Sequence, residues 1–162
     1  MTGLAAVALG SNLKSTFGDR EANLREAIRQ IGALGKVQAV SSFYDTEPVG
    51  YLDQPTFLNG ALLLRTDLTP QALLAGLLAV ERAMGRERLV AKGPRIIDLD
   101  LLLYDDVVLV KEDLTLPHPE MHERLFVLGP LAEIAPAIVH PLLGLTARDM
   151  LDRLQPSKTE DI

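Results

Sequence analysis

Residues 93–104, GPRIIDLDLLLY, read as a buried strand in which two aspartates stand one residue apart. Side chains alternate between the two faces of a strand, so Asp98 and Asp100 share one face and Leu99 takes the other. Because like charges repel and an unpaired buried charge is costly, the strand predicts a positive partner for this acid pair. Basic side chains from a neighbouring element can fill that role, and so can a divalent metal ion. Oxygen ligands favour Mg²⁺, which takes one or two carboxylates and completes its shell with water and substrate phosphate.

The length and composition predict one domain covering residues 1–162. The chain is 48% apolar and 23% charged, which suits a globular protein with a proper core. No apolar run approaches the ~20 residues that a membrane span needs, and the apolar start lacks a basic leader. We therefore expect a cytoplasmic protein with no membrane contact. The absence of cysteine excludes disulfides, zinc–thiolate sites and thiol nucleophiles.

The distribution of charge points to a small anionic ligand rather than to nucleic acid. A net charge of −6 disfavours general binding to a phosphate backbone, which relies on many Lys and Arg side chains. Positive residues are nevertheless concentrated just before the acid pair, at Arg82, Arg86, Arg88, Lys92 and Arg95. They predict either an anion pocket or a solvated helix end, where cations are mildly stabilising.

The predicted order of elements is strand, helix, strand, strand, helix, strand. Strands are expected at residues 4–9, 37–44 and 57–65, followed by the strand of the acid pair. One helix is expected from an N-cap at Asp19 to Gly35, and another from residues 69–70 to Gly85. Residues 105–110 predict a hairpin with the acid-pair strand, and shorter helices are expected at 132–135 and 146–154. This order predicts an α+β, ferredoxin-like antiparallel sheet covered by helices, with a C-terminal helical extension.

The remaining motifs predict metal-assisted phosphoryl transfer. Neither G-x-x-x-x-G-K-[ST] nor G-x-G-x-x-G occurs, so a P-loop or Rossmann nucleotide site is not indicated. The acid pair and the basic segment are instead followed by LPHPEMHER at 116–124, which adds His118 and Arg124. Such chemistry depends on positioning phosphates with Mg²⁺ and arginines. His118 has an alternative interpretation as a structural histidine.

The aromatic residues suggest where a flat ligand could bind. The chain has four Phe, three Tyr and no Trp, and Phe43, Tyr44, Tyr51 and Phe57 surround one proline-containing segment. We expect Phe43 and Tyr44 in the core. Phe57 and Asn59 share a strand face, so a heterocycle could stack on the ring and hydrogen-bond the amide. Core packing is the alternative for Phe57.

Taken together, these motifs resemble those of one enzyme family over nearly the whole chain. They are GSN at 10–12, SSFY at 41–44, TEPVG at 46–50, DQP at 53–55, FLN at 57–59, GPR at 93–95, DLD at 98–100 and PHP at 117–119. The sequence thereby resembles the 6-hydroxymethyl-7,8-dihydropterin pyrophosphokinases of folate biosynthesis. The resemblance implies transfer of diphosphate from ATP to the pterin's hydroxymethyl group, with release of AMP, by a protein that we expect to be a monomer.

The resemblance also implies roles for individual residues. Asp98 and Asp100 would hold two Mg²⁺ ions that arrive with ATP. The pterin would lie between Phe57 and Phe126, and its edge would be read by Asn59 and by the segment that contains Thr46, Pro48 and Val49.

For the nucleotide, the resemblance implies contacts from both sides of the acid pair. Arg95, His118 and Arg124 would contact the phosphates, and Thr115 and the Leu101 backbone would lie near the nucleoside. Further implied contacts come from Arg86 and Arg88, on a loop that closes at the transition state. This chain departs from the family by carrying Ala91 and Lys92 where an arginine and an aromatic usually stand. The departure puts in doubt an aromatic lid over the pterin.

Two other classes of function are compatible with the same residues. A noncatalytic ferredoxin-like binding module would use Asp98 and Asp100 structurally and show no Mg²⁺-dependent turnover. A metal-dependent phosphohydrolase would release phosphate without a pterin acceptor.

Overall fold

The computed structural model describes residues 2–46, 55–85 and 95–155. In chain order the elements are β1 Gly3–Ser11, α1 Arg20–Ile31, β2 Lys36–Val40, β3 Tyr44–Thr46, β4 Phe57–Thr66, α2 Pro70–Ala83, β5 Asp98–Tyr104, β6 Leu109–Val110, β7 Thr115–Leu116, α3 Leu125–Ile134 and α4 Ala147–Leu154. A short 3₁₀ turn, Met121–Glu123, precedes α3. None of the helices in these three ranges is both long enough and apolar enough to cross a membrane.

The main sheet is antiparallel, as predicted for a ferredoxin-like fold. Its strands run β2-β4-β1-β5, with β3 also pairing with β4, and every pairing is antiparallel. The two helices that connect these strands, α1 and α2, pack on one face of the sheet. The extension after β7 supplies α3 and α4, which cover part of the other face. The prediction of an α+β, ferredoxin-like sheet with a helical extension is confirmed.

The starts of the first two helices follow from the capping residues in the sequence. The Asp19 carboxylate accepts a hydrogen bond from the Ala22 amide at 2.9 Å, and the Thr69 hydroxyl accepts one from the Ala72 amide at 3.1 Å. The first helix ends at Ile31, before the predicted stop at Gly35. Gly35 serves a close approach instead, because a Cβ atom there would lie 2.3 Å from the Arg65 carbonyl oxygen.

The apolar interior is divided by the sheet into two clusters. The α1–α2 core contains Ala5, Val7, Leu9, Leu24, Ala27, Ile31, Leu62, Leu64, Leu73, Leu77, Val80, Met84, Ile97, Leu99, Leu101, Tyr104, Leu114 and Leu116. The α3–α4 core contains Ala6, Ala8, Ala61, Leu102, Leu103, Met121, Val127, Leu128, Leu131, Ala147 and Met150. Small alanines make up much of the sheet side of the α3–α4 core.

The predicted hairpin at residues 105–110 is wrong. The chain turns after Tyr104, where the Val107 amide donates to the Tyr104 carbonyl at 3.0 Å, and β6 then pairs with β7 in a separate two-stranded sheet. Two other boundaries also differ from the prediction. The strand expected at 37–44 is interrupted between β2 and β3, and α3 is longer than the helix expected at 132–135.

Candidate functional site

A row of site residues crosses the sheet face that α3 and α4 partly cover. Asp98 on β5 is paired with Gly10 on β1, Gly10 with Asn59 on β4, and Asn59 with Tyr44 on β3. Residues directly opposite each other on neighbouring strands point to the same face. Adjacent strands lie about 4.8 Å apart, so the backbones at Asp98 and Asn59 are separated by roughly 10 Å. In the next row, Asp100 is paired with Ala8, one of the alanines of the α3–α4 core.

Gly10 stands in the middle of this row, where its lack of a side chain lets neighbouring side chains approach the backbone. A Cβ atom at Gly10 would lie 2.9 Å from Asn59 Oδ1 and 3.6 Å from Phe57 Cδ1. The Asn59 amide therefore lies so close over the glycine backbone that a Cβ atom there would displace it, and the Phe57 ring would contact that atom. The predicted pairing of an aromatic ring and an amide on one face is present.

The predicted pterin residues gather around that glycine. Asn59 is 6% exposed, and its Nδ2 donates to Thr46 Oγ1, while Thr46 is paired with Phe57 across β3 and β4. Phe126, in the first turn of α3, packs against the α3–α4 core on the same side of the sheet. The Arg124 guanidinium lies 5.5 Å from the centre of its ring. The structure thus brings Thr46, Phe57 and Asn59 into contact and places Phe126 on their side.

The acid pair lies at the other end of the row. Asp98 and Asp100 are half-buried, and Leu99 between them is buried in the α1–α2 core, as predicted. The Leu99 amide, at the outer edge of the sheet, donates to Glu81 Oε2 at 2.8 Å. Glu81, near the end of α2, is only 3% exposed. Its carboxylate therefore holds the backbone between the two aspartates.

The donor set at the acid pair suits Mg²⁺. Over residues 2–46, 55–85 and 95–155, no group of three or more His, Asp or Glu side chains could hold a metal ion. Asp98 and Asp100 supply two carboxylates from the described residues. This number suits Mg²⁺, which binds one or two carboxylates and takes its other ligands from water and phosphate.

A pocket of about 250 Å³ opens beside the acid pair. It is lined by Leu74, Leu99, Asp100, Leu101, Glu112, Asp113, Leu114, Thr115, His118 and Pro119. Four of the residues predicted for the metal and nucleotide, Asp100, Leu101, Thr115 and His118, are therefore brought together. The arrangement places a cleft with polar groups next to a pair of carboxylates.

His118 is held as a neutral hydrogen-bond donor at this pocket. Its backbone amide donates to the Leu102 carbonyl at 2.9 Å, and its Nδ1 accepts from the Glu120 amide at 3.1 Å. Burial, and next the charge of Arg124, lower the pKa of His118, whereas Glu120 and Asp98 act in the opposite direction. With Nδ1 accepting, the neutral ring carries its proton on Nε2, and can donate it to an anionic oxygen.

The two predicted phosphate arginines in the described residues differ in environment. Arg95 is 8% exposed. Its amide donates to Asn12 Oδ1, and its carbonyl accepts from the Asn12 amide. Arg124 contacts Glu120, with 3.2 Å between Nη2 and Oε1. The remaining predicted contacts, Pro48, Val49, Arg86 and Arg88, lie outside the described residues, as do Ala91 and Lys92.

Tyr44 does not lie in the core, contrary to the prediction, whereas Phe43 packs against the α1–α2 core as expected. Tyr44 is 38% exposed, and its hydroxyl donates to Glu133 on α3. Glu133 also accepts from the amide and the hydroxyl of Ser42, each at 3.0 Å. The Tyr44 hydroxyl and then the Ser42 amide lower the pKa of Glu133, so this carboxylate stays charged and links β3 to α3.

Sequence reasoning missed three buried or bridging polar residues, Asn12, Glu81 and Glu133. For Glu81 a signal was present, because it follows Leu77 by four residues and so falls on the buried stripe of α2. Asn12 lies in the GSN motif, but its partners are 43 and 83 residues away and leave no local pattern. Glu133 likewise bonds residues that are distant in sequence.

Comparison with protein families gives one match that covers most of the chain. The family model described as 7,8-dihydro-6-hydroxymethylpterin-pyrophosphokinase matches residues 6–136. The chain is 48% identical over 136 residues to the 2-amino-4-hydroxy-6-hydroxymethyldihydropteridine pyrophosphokinase of Bacillus subtilis. The match covers 83% of this chain and 79% of that protein.

Two further matches are to parts of longer proteins. The chain is 39% identical over 153 residues to the folic acid synthesis protein fol1 of Schizosaccharomyces pombe; the match covers 93% of this chain and 20% of fol1. A crystal structure of Plasmodium falciparum HPPK-DHPS with pterin and p-hydroxybenzoate matches with a TM-score of 0.77 and 17% identity. That match covers 99% of this chain and 45% of the Plasmodium chain, and at this identity it supports the fold alone.

Proposed function

Because the chain belongs to the 7,8-dihydro-6-hydroxymethylpterin-pyrophosphokinase family, we propose that it transfers the diphosphate of ATP to the hydroxymethyl group of 6-hydroxymethyl-7,8-dihydropterin. The products are AMP and the pterin diphosphate ester. One structural observation carries the proposal: the acid pair on β5 and the Phe57–Asn59 pair on β4 share one sheet face, separated only by β1. The pocket lined by Asp100, Thr115 and His118 would then receive the nucleotide beside the carboxylates that we propose as metal ligands.

Asp98 and Asp100 are the residues that would hold Mg²⁺, and two ions are proposed with ATP. Bound there, Mg²⁺ would neutralise the phosphate oxygens and the charge that develops on the transferred group. The two carboxylates lie on one face of β5, and the Leu99 amide between them donates a hydrogen bond to the Glu81 carboxylate. The spacing of the two ligands is therefore set by the fold before any substrate arrives.

The transfer itself requires positioning more than proton chemistry from the protein. The hydroxymethyl oxygen forms a bond to the β-phosphorus of ATP and loses its proton, which ends in the solvent, while the bond between that phosphorus and the oxygen bridging to the α-phosphate breaks and AMP leaves. Arg95, His118 and Arg124 are proposed to contact the phosphates, and the Leu101 backbone and Thr115 the nucleoside. Arg86 and Arg88 are proposed to add charge stabilisation in the transition state.

On the pterin side, the ring would stack on Phe57, with Phe126 on its other face. The Asn59 amide, which the hydrogen bond to Thr46 fixes, would read the ring's polar edge together with the segment containing Pro48 and Val49. The distance of roughly 10 Å between the backbones at Asn59 and Asp98 leaves room for a bicyclic ring between the amide and the metal site. A monomer in the cytoplasm is proposed as well, and light scattering of the purified protein tests the monomer.

The deciding experiment is a coupled assay for AMP, with Mg²⁺ and ATP, in the presence and absence of the hydroxymethyl-dihydropterin. We expect AMP only when the pterin is present, and no AMP when EDTA removes the metal. Equal nucleotide breakdown without pterin would instead support the phosphohydrolase interpretation. Pterin binding without any turnover would support a noncatalytic module.

A further inference from the structure

The GSN motif ends β1 with an asparagine that has no role in the proposed reaction so far. Asn12 is 2% exposed. Its Nδ2 donates to the Pro55 carbonyl at 3.0 Å, and its Oδ1 accepts from the Arg95 amide at 2.7 Å. Its own backbone amide donates to the Arg95 carbonyl at 2.9 Å. One buried side chain therefore joins β1 to two segments that are far apart in sequence.

These two segments lead directly into the two halves of the site. Pro55 stands two residues before Phe57, and Arg95 stands three residues before Asp98. In the sheet, β4 and β5 do not contact each other, because β1 lies between them. Asn12 is thus a direct side-chain link between the backbone that carries the stacking ring and the backbone that carries the acid pair.

We propose that Asn12 is a positioning residue that sets the distance between the pterin side and the phosphate side of the site. The inference rests on the proposed function, because it matters only if two substrates react across that gap. Bond formation needs the reacting atoms about 3–3.5 Å apart, and a misplacement of about 1 Å can reduce the rate by roughly a hundredfold. Loss of Asn12 therefore affects turnover with both substrates bound, while each substrate still finds its own half of the site intact.

A matched control is available in Asn23, which is also fully buried and also supports the end of β1. Its Nδ2 donates to Ser11 Oγ at 3.1 Å and to the Leu13 carbonyl at 2.7 Å, but it joins neither Pro55 nor Arg95. Asn12→Ala removes a buried amide that follows β1, and Asn23→Ala removes a buried amide on α1 that contacts the same turn. Only the first breaks the link between the two halves.

The experiment measures, for wild type and each variant, the melting temperature, kcat for pterin-dependent AMP formation, and two separate affinities. These are the affinity for the pterin without nucleotide and that for a non-transferable ATP analogue with Mg²⁺. For Asn12→Ala we expect kcat to fall at least about tenfold and both affinities to change less than about threefold. For Asn23→Ala we expect a lowered melting temperature and a kcat within about threefold of wild type. Asn12→Asp keeps the acceptor for the Arg95 amide but loses the donor to Pro55, so its kcat should fall as well.

Each other outcome counts against the inference. A folded Asn12→Ala or Asn12→Asp with unchanged kcat would overturn it, and so would an equal loss of kcat in Asn23→Ala. If both Asn12 variants are unfolded at a temperature at which Asn23→Ala is folded, Asn12 serves the fold and not the spacing. If wild type makes no pterin-dependent AMP, the proposed function itself fails, and the inference with it.

Discussion

Replacing Gly10 by alanine should weaken pterin binding without disturbing the nucleotide half of the site. The new Cβ atom would lie 2.9 Å from Asn59 Oδ1, whereas ordinary contacts begin at 3.4 Å, so the Asn59 amide must retreat by about 0.5 Å. The Asn59 side chain is held in place by its hydrogen bond to Thr46 Oγ1. The retreat therefore strains or breaks that bond.

The size of the effect follows from the loss of one buried hydrogen bond, about 1 kcal/mol. If the pterin relies on the orientation of Asn59, as proposed, it should then bind about fivefold more weakly, since 1.4 kcal/mol corresponds to tenfold. The melting temperature should change little. Alanine in place of glycine restricts the unfolded chain and returns about 0.4–1 kcal/mol of stability, because β1 is extended at Gly10.

Calorimetry of the pterin and of a non-transferable ATP analogue measures the two affinities, with Gly60→Ala as the control. A Cβ atom at Gly60 would also clash at 2.9 Å, but with Phe43 Cδ1, on the sheet face that α1 and α2 cover. Gly60→Ala should lower the melting temperature and leave pterin affinity unchanged. Wild-type pterin affinity in Gly10→Ala, or an equal loss in Gly60→Ala, would refute the assignment of the open face beside Gly10 to the pterin.

Three further predictions concern the acid pair, the stacking ring and the histidines. Asp98→Asn and Asp100→Asn should each remove Mg²⁺-dependent turnover by orders of magnitude and leave the metal-free melt unchanged or raised, whereas a collapsed melt would identify the pair as structural. Phe57→Ala should weaken pterin binding by about 1–3 kcal/mol with nucleotide affinity intact, and unchanged calorimetry would return Phe57 to a packing role. Burial lowers the pKa of both His118 and His140 from the ordinary 6.5. Below about pH 6.5 the unfolded chain therefore binds more protons than the folded chain, so the free energy of unfolding should fall as the pH drops from about 6.5. A melting temperature that stays constant between about pH 7.5 and 5.5 would contradict this assignment.

Those parts of the fold that depend on local patterns were predictable from the sequence. Asp19 and Thr69 have the side chains that cap helices, and the regular spacing of apolar residues placed α1, α2 and β4 within a few residues. The alternation around Asp98 and Asp100 also placed both aspartates on one face. These features depend on residues that are close in the sequence, so the periodicity of apolar and polar residues predicts them.

The parts that failed depend on partners far along the chain. β6 pairs with residues after a second turn instead of with β5, and no alternation in 107–110 distinguishes these two partners. Tyr44 has an aromatic ring that suits a core, yet a carboxylate on α3 holds its hydroxyl at the surface. The bridge from Asn12 to Pro55 and Arg95 is likewise a product of the assembled sheet. Only the order of separated motifs, compared with a family, pointed to the GSN segment at all.

The division of the interior by the sheet has a consequence for local unfolding. The α3–α4 core is the smaller of the two, and alanines supply much of its sheet side, so less apolar area holds α3 and α4 in place than holds α1 and α2. Helices held by less apolar contact open at lower free energy, and their amide protons exchange with solvent sooner than those of β1 and β4. A ring bound between Phe57 and Phe126 would tie α3 to β4 and stabilise the packed α3 and α4 by an amount that rises with the logarithm of ligand concentration above its dissociation constant. Amide exchange in α4, a helix with no proposed substrate contact, would then slow when the pterin binds some distance away.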